Sequence, residues 1–153
     1  MSLADSLKLR RQKLAALFDA PVVLWSGQRS SRNFPANTFP FRASSHFLYF
    51  AGLPIEKAVI HLEGGKLTLF MDDASPESAL WHGETRSRED TAELIGATDA
   101  FPLSHLKNFT EDAATISAGD PVTRLEQSRL LNRMITPANA PQGKDLELTR
   151  AIV

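Results

Sequence analysis

The chain has 153 residues, 42% apolar and 23% charged, with a formal net charge of -1, which fits one ordinary globular domain long enough to bury its own core. The balanced charge offers no basic surface for nucleic acid and no charge block for a membrane surface, and no apolar run approaches the ~18 residues of a bilayer span. With no cysteine, disulfide frameworks, zinc–thiolate sites and thiol nucleophiles are excluded. The N-terminal run lacks the apolar stretch of a signal peptide, so a cytoplasmic location is expected.

In chain order, Leu3, Leu7, Leu14, Leu17 and Phe18 recur at helical spacing with Lys8, Arg10, Arg11 and Lys13 between them. This predicts an amphipathic helix over Ala4–Asp19, capped by Asp5 or Ser6 and ended by Pro21. Val22–Trp25 is a short continuous apolar run, as in a strand covered on both faces. Arg32–Leu53 reads as a long loop pinned by Phe34, Phe39 and Phe41, feeding a central strand through Phe47, Leu48, Tyr49 and Phe50 up to Gly52. Ala58–Leu62 and Lys66–Met71 around Glu63-Gly64-Gly65 predict a hairpin, with His61 on a face open to solvent. Asp72–Glu77 is a turn leading into a short helix at Glu77–Trp81. Ser87–Ile95 predicts a helix with Ser87 as cap, Asp90 in capping-box position and Gly96 as its stop. Ala100–Pro102 fits an edge strand, and Leu103–Thr115 a helix capped by Ser104. Val122–Leu125 is a strand or a helix start, and Glu126–Ile135 is helical. Thr136–Gly143 reads as a linker, and the last ten residues begin a helical pattern that stops at Val153, as expected of a longer chain cut short. Strands alternating with helices around a hairpin predict an α/β domain with a mixed β-sheet flanked by helices.

None of His46, His61, His82 and His105 sits at a metal-ligand spacing. Asp72-Asp73 suits a turn or a helix cap better than a metal site, because adjacent residues in extended backbone point to opposite faces. No serine lies in a nucleophile elbow, and Gly64-Gly65 precedes no phosphate-binding helix. Arg29, Arg32 and Arg42 around the aromatic loop are either solvated or set to grip a carboxylate or phosphate. Trp81-His82-Gly83 suits an interface or a ligand lid, or else a tryptophan packed on its own sheet. No catalytic cluster emerges.

The run Thr38-Phe39-Pro40-Phe41-Arg42-Ala43-Ser44-Ser45-His46-Phe47-Leu48-Tyr49-Phe50-Ala51-Gly52 resembles the signature of the amino-terminal domain of aminopeptidase P. The hairpin that follows, Leu69-Phe70 and then Trp81-His82-Gly83 are similar to that family's paired strands, its L-F and its W-x-G. Arg11 and the Val22–Trp25 strand sit where the family has its opening helix and strand. The likeness covers residues 8–110 best.

The resemblance implies a ribonuclease-H-like fold of the creatinase/prolidase N-terminal type. Residues 1–136 would be the domain, and 137–153 a linker and the start of a helix connecting to an absent C-terminal catalytic domain. That domain would hold two divalent metal ions, usually manganese, and remove the residue preceding a proline in second position. No metal ligand or catalytic residue carries over, so the chain alone is expected to be inactive. Trp81 would reach towards a neighbouring subunit's active site, and His82 and Arg42 would line the cleft. The implied partners are proline-containing peptides, the chain's own catalytic domain and further copies in a homo-oligomer. A free-standing binding module, or the N-domain of a prolidase or creatinase, are the other readings.

Overall fold

The computed structural model describes residues 3–27, 44–53, 55, 57–72, 87–116, 121–133, 135 and 143–152. The apolar run Val22–Trp25 is strand β1, buried along its whole length. It pairs antiparallel with β2 (Val59–Glu63), β2 pairs antiparallel with β3 (Lys66–Phe70), and β3 pairs parallel with β4 (Asp99–Phe101). The helices are α1 (Leu3–Leu17), α2 (Ser45–Ala51), α3 (Arg88–Ile95), a 3₁₀ helix (Leu103–Phe109), α4 (Pro121–Leu131) and α5 (Gly143–Ile152).

Side-chain alternation along the strands splits the core into two layers. Val22, Leu24, Ile60, Leu62, Leu67 and Leu69 pack with Leu7 and Leu14 of α1, Phe47 and Phe50 of α2, Ile95 of α3 and Leu148 of α5. On the opposite face Val23, Trp25, Val59 and Phe70 pack with Leu106 of the 3₁₀ helix and Leu131 of α4. With both faces covered, β1 carries no polar residue, as its sequence predicts. Its outer edge is also closed: the Val23 N–H donates to the Ala114 carbonyl at 2.9 Å and the Ala114 N–H to that of Pro21 at 2.8 Å. The hairpin forms as expected. Gly64 and Gly65 have φ of 60° and 82°, the pair of positive values that a tight two-residue turn matching strand twist requires.

α3 also follows its sequence signals. The Ser87 Oγ accepts the Asp90 N–H at 3.1 Å, and Gly96 closes the helix at φ 70°. Replacing Ser87 with alanine leaves that helix-terminal N–H without its acceptor, and is expected to lower stability by about 1 kcal/mol, read as a reduced Tm. An aspartate at the same position should restore most of the loss.

Three expectations are corrected. The aromatic run 45–51 is a helix, not a central strand: Phe47, Phe50 and Ala51 are the buried positions, an i, i+3, i+4 set, while Tyr49 is exposed. Gly52, at φ 81°, ends it in the left-handed region. His61 does not face solvent, because the 3₁₀ helix covers that side of the sheet. It is buried, its ring edge-on to Phe109 at 5.4 Å. The helix predicted for Leu103–Thr115 is a 3₁₀ helix that stops at Phe109, since residues 113–116 are drawn into pairing beside β1. Its first residue follows Pro102 rather than a Ser104 cap, and the Leu103 N–H is taken by the Asp72 Oδ1 at 3.1 Å. Asp72 is thus a cap, as its residue type suggested, though for a helix 31 residues further on. Residues 122–125 are helical, within α4. The Phe34, Phe39 and Phe41 loop and the Glu77–Trp81 helix lie outside the described residues.

Candidate functional site

Because β2 runs antiparallel to both β1 and β3, and β4 parallel to β3, three strands finish at the same end of the sheet. The register aligns their last residues, Trp25, Phe70 and Phe101, in one row with Val59, the first residue of β2. Two chain excursions leave from this end: residues 28–43, which include Arg42, follow β1, and residues 73–86, which include Trp81 and His82, follow β3. Arg42, Trp81 and His82 themselves lie outside the described residues. Carboxyl ends of strands in α/β sheets are where ligand-facing loops collect.

The stems of both excursions are fastened. Ser44 donates its N–H to the Ser26 carbonyl at 3.0 Å and its Oγ–H to that of Trp25 at 2.8 Å, so the chain returns to where it left. The Ser26 Oγ accepts the Ala58 N–H at 3.0 Å, tying in the start of β2. At the second stem, Arg88 donates to the Met71 carbonyl at 3.2 Å, and the Met71 N–H donates to that of Phe101 at 3.1 Å. Beside the first stem lies a small cleft walled by Trp25, Gly27, Lys57, Ala58, Val59, Leu103, Thr123 and Glu126.

Two buried groups flank this framework. Arg11 is 3% exposed. Its guanidinium donates to the Phe50 carbonyl from Nε at 3.3 Å and from Nη2 at 3.0 Å, to Ile95 from Nη2 at 2.6 Å, and to Gly96 from Nη1 at 3.2 Å. These carbonyls belong to the C-terminal turns of α2 and α3, which lack intrahelical donors and carry partial negative charge. Burial lowers the Arg11 pKa to about 10, so it stays cationic at neutral pH. His46, in the first turn of α2, has a buried Nε2 with no hydrogen-bond partner among the described residues. Burial lowers its pKa to about 4, leaving a neutral imidazole. Burial also lowers the pKa of His61, with the nearby Glu63 carboxylate acting in the opposite sense.

A third cluster ties the terminal helix to the sheet. Asp145 of α5 accepts the Thr115 N–H at 2.9 Å and Arg133 Nη2 at 2.8 Å. The Thr115 hydroxyl donates to the Val23 carbonyl at 2.6 Å and accepts from the fully buried Gln127 at 3.1 Å. Gln127 carries no distinguishing signal in the sequence, and Arg11 enters there only as a marker of the opening helix, not as a buried clamp. Arg11 lies on the stripe Leu7–Arg11–Leu14–Phe18, and that position is the signal that marks it as inward-facing.

Among the described residues, no group of three or more His, Asp and Glu side chains is gathered as a metal site would need.

The family model of the aminopeptidase P N-terminal domain matches residues 7–120. A "Probable Xaa-Pro aminopeptidase pepP" of Talaromyces stipitatus is 37% identical over 90 residues, 53% of this chain and 19% of that protein. The mitochondrial "Intermediate cleaving peptidase 55" of Arabidopsis thaliana is 32% identical over 106 residues, 68% of this chain and 20% of that protein. The solved aminopeptidase PepP of Pseudomonas aeruginosa superposes with a TM-score of 0.69 at 22% identity, covering 84% of this chain and 32% of that one. An aminopeptidase P of E. coli gives a TM-score of 0.67 at 17% identity, with 84% and 31% covered. The mixed four-stranded sheet flanked by helices is therefore the fold of those N-terminal regions. The chain spans 16–24% of the length of the curated relatives it matches.

Proposed function

Since the chain belongs to the aminopeptidase P N-terminal domain family, we propose that it is the non-catalytic N-terminal domain of a metal-dependent Xaa-Pro aminopeptidase. The family match over residues 7–120 carries this reading. The activity is removal of an N-terminal residue that precedes proline, and its two metal ions, manganese by preference, belong to a C-terminal catalytic domain. This chain contributes a rigid wall. Its loop stems are fastened at one end of the sheet, and that end would face the active-site cleft of the catalytic domain. Arg42, Trp81 and His82 would line that cleft and limit which peptides enter, with Trp81 reaching an adjoining subunit in a homo-oligomer. The domain ends near residue 136, and α5 begins the connection. A cytoplasmic location belongs to the same proposal, although the Arabidopsis relative is mitochondrial.

The test is Trp81→Ala in the complete enzyme. Turnover of peptides longer than a tripeptide is expected to fall several-fold, with bound metal and cleavage of the shortest substrates unchanged. Unaltered kinetics at every peptide length would remove Trp81 from the cleft.

A further inference from the structure

Trp25 ends β1 with 2% of its surface exposed. Its indole Nε1 is buried and has no hydrogen-bond partner among the described residues. A buried tryptophan N–H normally finds an acceptor, because one left unpaired loses the hydrogen bond that water gives it in the unfolded chain. The same residue walls the cleft beside the first stem, with Ala58, Val59 and Leu103. That cleft has a volume of about 100 Å³. An apolar cavity of ~150 Å³ accommodates benzene, so this one has room for a single branched aliphatic group.

The frame of the cleft is preformed. The register sets Trp25 directly opposite Val59. The Lys57 N–H donates to the Gly27 carbonyl at 2.9 Å, beside the tie between Ser26 and Ala58. Lys57 is held there at φ 57°, a left-handed backbone that side chains other than glycine's rarely adopt. Its side chain is exposed and has no ion-pair partner among the described residues. The other polar wall, Thr123 and Glu126 of α4, is already engaged in interactions of its own. The two uncommitted polar groups are therefore both donors, an indole N–H and an ammonium. We infer that the cleft binds a carboxylate carried beside a branched aliphatic group, on a free short-chain acid or on the last residue of a peptide. The branched group fills the space against Ala58, Val59 and Leu103. One carboxylate oxygen accepts the Trp25 Nε1–H and the other faces Lys57, a charge-assisted pairing. The Glu126 charge disfavours the anion on the α4 side and so confines it to the Lys57 side. The site lies wholly on this chain and does not depend on the peptidase reading.

An NMR titration of the isotope-labelled 153-residue chain with isovalerate at neutral pH tests it. The chain has two tryptophans, so it gives two indole N–H signals, and Trp81→Phe identifies that of Trp25. The Trp25 signal is expected to move downfield and saturate, with a dissociation constant on the order of 1 mM, within reach of a ligand of about seven heavy atoms. Acetate lacks the branched group and isoamyl alcohol lacks the charge, and each should bind at least about 10-fold more weakly. Lys57→Gln should weaken isovalerate about 10-fold and leave the alcohol unchanged, the loss of one charge-assisted contact. Acetyl-Gly-Leu separates the two sources: tighter binding than isovalerate assigns the cleft to peptide ends, weaker binding to free acids. A Trp25 signal that neither moves, isovalerate binding indifferent to Lys57→Gln, or acetate binding as well as isovalerate, which marks an adventitious ion only, overturns the site.

Discussion

Replacing Arg11 with methionine is expected to destabilise the chain by about 3–5 kcal/mol, the range for leaving buried hydrogen-bonding groups of a charged network unmatched. Methionine keeps much of the length of the aliphatic stem, so the change isolates the guanidinium. Three carbonyls, those of Phe50, Ile95 and Gly96, lose their donor at once. The opposing term is the desolvation of the cation, which burial expresses as a pKa lowered to about 10. That cost is already met in the folded protein, where the negative ends of two helices face the charge. Lysine should recover only part of the loss, because one ammonium cannot fork across two helix termini. Urea unfolding should show a lower midpoint at unchanged slope. A methionine variant within about 1 kcal/mol of the parent would show that water serves those carbonyls equally well.

The second large effect is on pH dependence. His46 has a pKa of about 4 when folded, against 6.5 as its ordinary value. The unfolded chain therefore takes up this proton first as pH falls. The stability associated with neutral His46 is complete above pH 6.5 and is lost progressively as pH falls from 6.5 to 4. The total is on the order of 3 kcal/mol. Carboxylates titrate at the lower end of this window, so the informative quantity is a difference. Between pH 7 and pH 4.5, wild type should lose about 2 kcal/mol more than His46→Gln, which cannot take up the proton. Parallel stability curves for the two proteins would mean that the imidazole protonates in place without penalty.

The elements read correctly from sequence are those whose signals are local. Val22–Trp25 is unbroken by polar residues, Gly64-Gly65 dictates its turn, and Ser87 with Gly96 brackets α3. The errors arise where partners distant in sequence decide. Phe47-Leu48-Tyr49-Phe50 has the composition of a strand, yet Phe47 and Phe50 must reach one core face together, and only a helix places them side by side. Thr115 looks like a helix end, but its hydroxyl is claimed by Val23, 92 residues away in sequence. Arg11 appears to be one cation among several on α1 until its place on the apolar stripe is noticed. For the candidate site, Arg42, Trp81 and His82 emerge by resemblance rather than from chemistry. That their two chain segments leave the sheet at one end follows from strand order and direction, which no local pattern encodes.

The most direct test of the central claim is an Xaa-Pro peptidase assay on the native polypeptide captured from its source cells with an antibody to this chain. The account predicts release of the first residue from a peptide with proline in second position, abolished by a metal chelator. No such activity in the 153-residue chain alone is expected, even with manganese added. Cleavage by the isolated chain, or a captured polypeptide that leaves the peptide intact with manganese supplied, would contradict it.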